Sequence, residues 1–79
     1  MPPRRKTKRV AEAIAFGRRV RELRVERGWT QARLAEAADL NELQVGHIER
    51  GANEPKLTTI LKLAHALSVR PEELLRGLR

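Results

Sequence analysis

Between Thr30 and Gly51 the chain holds two segments of about two helical turns each, separated by the break Asp39-Leu40. Each opens on a residue whose side chain accepts from a backbone N–H, Thr30 for the first and Asn41 for the second. Gln44 completes a capping box with Asn41, whereas Arg33 stands where Glu or Gln would complete the first. The inward residues are Leu34, Ala35 and Ala38 in the first segment, and Val45 and Ile48 in the second. Asp39 tolerates the left-handed turn between them, although glycine would adopt it more easily. Gly51 stops the second segment. The remaining residues must build a core around this pair.

The flanking chain supplies helices for that purpose. Phe16, Val20, Leu23 and Arg27 follow helical spacing, with Ala13 and Ile14 widening the stripe, so a first helix is expected from about Ala11 to Arg27. Gly28 ends it in the αL conformation. A fourth helix is expected over Leu57 to Leu67, carrying Ile60, Leu61, Leu63, Ala64 and Leu67. Pro71 opens a fifth, with Glu72 and Glu73 at its positive end. No strand pattern or internal repeat is present. The expected fold is all-α, a compact bundle of five helices.

The chain has 79 residues, enough for one domain. Aromatic residues make up only 3%, which leaves Leu, Ala, Val and Ile to fill the interior. The absence of cysteine excludes disulfides and thiolate metal sites. No apolar run reaches the roughly 18 residues of a membrane span, and the basic start lacks the apolar stretch of a secretion signal. A cytoplasmic location is therefore expected. The net charge of +7 is uneven: Arg4, Arg5, Lys6, Lys8 and Arg9 precede any acid, and from Val10 on there are 12 basic and 10 acidic residues. Residues 1–10 read as a basic, flexible, disordered arm and residues 11–79 as the folded domain. A basic arm on a nearly neutral body suits a polyanionic partner, or serves only as a solvated tail.

Two short helices with a tight break form a helix-turn-helix. The run TQARLAEAADLNELQVGHIERG from Thr30 resembles the phage-repressor-like (Cro- and Xre-type) family of small bacterial transcriptional regulators. Gln31, Ala35, Val45, Ile48 and the closing Glu49-x-Gly51 match that family's pattern. Arg24 falls where the family often pairs an Arg with that Glu. The resemblance extends from about Phe16 to Leu78; Asp39, Gly46 and the basic arm depart from it. It implies a bacterial or phage-encoded protein that binds double-stranded DNA as a homodimer.

With Val45 and Ile48 anchored inside, helical rotation turns Glu42, Leu43, Gly46, His47 and Arg50 outward. The resemblance puts Glu42, Leu43 and His47 at base-reading positions, with Asn41 and Gln44 at the edge. Glu42 either complements the helix dipole or accepts from a cytosine amino group. Leu43 suits a thymine methyl or packs on the turn, and Gln44 either reads a base or only caps. Gln31, Arg33, Arg50, Asn53 and Lys56 are expected phosphate contacts, together with Arg4, Arg5 and Lys6 of the arm. Arg24 and Glu49 are expected as a structural ion pair, and Trp29 as packing over the helix junction.

An enzyme is poorly supported: two histidines without cysteine make no metal pattern, Glu72 and Glu73 diverge, and no glycine-rich phosphate loop occurs. No cofactor is implied. The family resemblance leaves phage-type repressors and restriction-modification controllers open, with an antitoxin that also holds a toxin protein as the alternative. Val69, Leu74, Leu75 and Leu78 are expected either to form a dimer face or to complete the core.

Overall fold

The computed structural model describes residues 3–76 and Leu78, with the backbone alone for residues 3–10. Five helices follow in order: α1 (Pro3–Glu26), α2 (Gln31–Ala38), α3 (Glu42–Glu49), α4 (Leu57–Leu67) and α5 (Pro71–Leu74). No strand occurs among the described residues. None of their helices is long and apolar enough to cross a membrane.

α1 begins eight residues before the expected Ala11, so the chain shows no backbone break at residue 10. Pro3 suits a first helical position, and Arg, Lys and Ala dominate the next residues without a helix breaker before Gly17. The side chains of Arg4, Arg5 and Lys6 lie outside the described residues.

Phe16, Val20 and Leu23 of α1 meet Leu34, Ala35 and Ala38 of α2, Val45 and Ile48 of α3, and Leu63, Ala64 and Leu67 of α4 in one core. Leu74 of α5 belongs to this core with no exposed surface. Of the two roles expected for it, Leu74 completes the core and offers no surface as a dimer contact. In a helix of only four residues, Leu74 is the side chain that docks α5. Val69 and Leu78 pack partly against the core, while Leu75 remains 40% exposed.

The first four helices end alike. Gly28, Asp39, Gly51 and Ser68 all have positive φ. The N–H of the next residue then bonds back to a carbonyl five residues earlier, as in Leu40 to Ala35 (2.9 Å) and Val69 to Ala64 (3.0 Å). Asp39 thus forms the expected left-handed turn at φ 58°. Ser68 forms the same turn without any sequence signal.

The crossing of α1 and α3 depends on a missing side chain. A Cβ at Gly17 would lie 2.0 Å from the Ile48 carbonyl oxygen and 2.9 Å from that of Glu49. Glycine lets the end of α3 rest directly on α1, which fixes the height of α3 above the core.

Candidate nucleic-acid interface

α3 is a capped and anchored short helix. Asn41 Oδ1 accepts from the Gln44 N–H at 2.8 Å, and Gln44 Oε1 accepts from the Asn41 N–H at 3.0 Å. The box consumes the oxygens and leaves both amide NH2 groups facing out as donors. Val45 and Ile48 are buried, and Leu43 on the opposite side is 68% exposed. Water gains nothing from an apolar side chain held out in the first turn of a helix, so a surface that covers it is favoured. Glu42, Gln44 and Arg50 are also exposed, and His47 is half-buried. Gly46 departs from the outward set: it is buried, because neighbouring side chains fold over it.

The orientation of α3 is set from behind by Glu49. Arg24 donates through Nε to Glu49 Oε2 at 2.6 Å and through Nη2 to Oε1 at 3.0 Å. Its third contact, Nη1 to the Trp29 carbonyl at 2.7 Å, ties the start of the α2 connection to the same guanidinium. Gln31 Nε2 also donates to Glu49 Oε1 at 3.0 Å. One carboxylate thereby joins α1, α2 and α3. The Arg24 guanidinium is held above its ordinary pKa, chiefly by the hydrogen bond to Glu49, with the carboxylate charge adding to it against the cost of burial.

Gln31 is thus partly committed inside the protein, with one N–H left over. Arg33 is committed too: its guanidinium lies 5.3 Å from the Trp29 ring centroid and pairs with Glu36 at 3.3 Å. Those contacts hold it beside α2. A groove of about 420 Å³ runs between α3 and the start of α4, lined by Gln44, His47, Asn53, Lys56 and Lys62 among others. It brings two expected base readers and two expected phosphate ligands to one concave edge. Lys62, absent from the sequence reading, reaches the Asp39 carbonyl at 3.4 Å and closes the end of this groove.

Arg27 also carries a role that helical spacing misread as apolar. Nη1 donates to the Leu23 carbonyl at 2.8 Å and Nη2 to the Leu67 carbonyl, so it satisfies the end of α4 from the residue just after α1. An arginine on an apolar stripe near a helix end was the available signal.

A short helix pair locked in this way, with the second helix bare on its outer side, defines a helix-turn-helix protein. Residues 20–74 match the helix-turn-helix family. The chain belongs to that family, in its phage-repressor-like, Xre/Cro-type branch of DNA-binding transcription regulators.

Among solved structures it is similar to the restriction-modification controller protein C.AhdI from Aeromonas hydrophila, at 45% identity and a TM-score of 0.79. That likeness covers 81% of this chain and 97% of the other. The control protein C.BamHI of Bacillus amyloliquefaciens is 36% identical over 63 residues, 78% of each chain. The regulator SutR of Escherichia coli is 40% identical over 50 residues, 63% of this chain. The chain spans only 28% of SutR's length.

Proposed function

We propose that this chain is a sequence-specific regulator that binds a (pseudo)palindromic operator as a homodimer, with α3 of each copy in the major groove. The observation that carries this is the two-sidedness of α3, with Val45 and Ile48 sealed in the core and Leu43 bare among Glu42, His47 and Arg50. The major groove is about 12 Å wide and accepts one helix. One such helix reads few base pairs, and a twofold pair spaced by a turn of DNA, about 34 Å, reads enough.

In this pose Leu43 and His47 face base edges, with Glu42, Asn41 and Gln44 beside them. Arg50, Asn53 and Lys56 lie along the backbone, as do Arg4, Arg5 and Lys6. Leu75 just after α5, with Leu57 and Leu61 on one face of α4, offers exposed apolar surface for the second copy. Likeness to two control proteins, each matched over most of its length and one at 45% identity, supports a restriction-modification controller as the regulated system's type. An antitoxin role finds no support in these relatives.

Duplexes selected by the purified chain from a random library test the reading. The expected result is one inverted repeat with half-sites a helical turn apart, bound by two chains. No duplex preference at any ionic strength, or a bare direct site bound by one chain, overturns it.

A further inference from the structure

Gly46 sits inside the recognition helix, where glycine is a poor choice, and yet it is buried. Side chains cover it. A Cβ at this position would meet Arg50 Nη1 at 3.2 Å, Gln31 Oε1 at 3.8 Å and Arg50 Cζ at 4.0 Å. Arg50 follows Gly46 by one helical turn, so its side chain is in reach of the bare glycine surface. The Arg50 backbone N–H bonds to the Gly46 carbonyl at 3.1 Å, while its guanidinium makes no hydrogen bond or ion pair with a described residue. The guanidinium of this exposed residue lies over the bare Gly46 surface.

Gln31 completes the arrangement. Its Nε2 donates to Glu49, whose carboxylate only accepts, so the amide orientation is fixed and Oε1 faces Gly46. The part-buried Arg24–Glu49 pair therefore sets Gln31, and Gln31 forms one wall of the space over Gly46. The guanidinium fills the rest.

We propose that Gly46 is a positioning residue: the space left by its missing side chain seats the Arg50 guanidinium beside Gln31, on the DNA side of α3, ready for a backbone phosphate. This rests on the DNA-binding reading above. A long arginine with a seat beside its phosphate path loses less freedom on binding than one whose seat is filled. The competing explanation of Gly46, that it lets the α3 backbone itself approach the duplex, makes different predictions.

The test measures binding of the duplexes selected by the wild-type chain, over a range of salt, for Gly46→Ala, Gly46→Val, Arg50→Ala, Arg50→Lys and the double variant Gly46→Ala with Arg50→Ala. Gly46→Ala is expected to keep or raise Tm, because its Cβ meets the flexible end of Arg50 and not backbone. Binding to every duplex weakens about threefold to tenfold, and the salt slope falls by up to about 1, the share of one phosphate contact. Gly46→Val goes further in the same direction. Arg50→Ala gives a similar loss, and the double variant binds no more weakly than Arg50→Ala. Arg50→Lys keeps the slope and part of the affinity.

Additive losses in the double variant overturn the proposal, as does a changed base preference at unchanged slope, which assigns Gly46 to the DNA contact itself. A lower Tm with an unchanged slope overturns it in favour of a structural role. If the wild-type chain selects no duplex, the DNA-binding reading fails; if it does and Gly46→Ala behaves like wild type, only the present inference fails.

Discussion

Arg24 and Glu49, 25 positions apart in sequence, meet through two parallel hydrogen bonds with side chains only 12% and 3% exposed. No buried side-chain polar atom among the described residues is left without a partner, so the pair sits in a fully satisfied setting. Because the Arg24 pKa is raised while Glu49 is ionised, the stability its protonation contributes is lost only as pH rises through that raised value, above the ordinary arginine range. Alkaline conditions that most proteins survive will not break it.

Removing one partner strands the other. Glu49→Ala is expected to cost about 1–3 kcal/mol, measured by urea denaturation, because Arg24 and Gln31 lose their shared acceptor in a part-buried setting. A loss below about 1 kcal/mol is incompatible with a pair that fixes α3.

The second constraint on α3 is steric. Gly17→Ala places a methyl group on the Ile48 carbonyl, and backbone on both sides has little room to yield. The expected destabilisation is at least the upper end of the roughly 1–3 kcal/mol that overpacking costs, seen as a fall in Tm. An unchanged Tm means that α1 and α3 separate freely.

Base reading and phosphate contact have separate signatures. Leu43→Ala and His47→Ala remove groups from the exposed face of α3 without touching the core. Each is expected to lower discrimination by about 1–3 kcal/mol at particular base pairs, with Tm unchanged. Equal weakening on all duplexes removes them from the base-reading set.

Lys56→Ala, at the edge of the groove beside His47, is expected to weaken binding on every sequence and to reduce the salt slope by about 1. A slope equal to that of the wild type takes Lys56 off the phosphate path.

The sequence displayed the caps and the periods best. Thr30, the Asn41–Gln44 box, Gly28, Gly51 and Pro71 act locally, within a few residues, and the structure has each of them where the pattern predicts. What depends on distant neighbours was hidden. Gly17 looks like any helix-weakening glycine until α3 lies on it. Ser68 takes a left-handed turn in which Val69, packed against the core, bonds back to Ala64. Gly46 is outward by rotation and buried by the side chains folded over it. The face of α3 followed from Val45 and Ile48 alone, and so most of the candidate site was visible before its supports were.

The consecutive residues Leu74 and Leu75 divide core from surface at the end of the chain. Leu74 is fully buried and Leu75 is 40% exposed, so a two-variant comparison separates folding from association. Leu74→Ala leaves a cavity and is expected to cost about 2–5 kcal/mol of stability. Leu75→Glu leaves the core intact; in the proposed dimer it sets a charge in each copy against an apolar partner face. Sedimentation is then expected to show monomers at concentrations where the wild type is dimeric, and operator affinity falls while Tm, extrapolated to low concentration, holds. Leu61→Glu, on the exposed flank of α4, is expected to act in the same direction. Dimers that persist in both variants place the contact elsewhere on the surface.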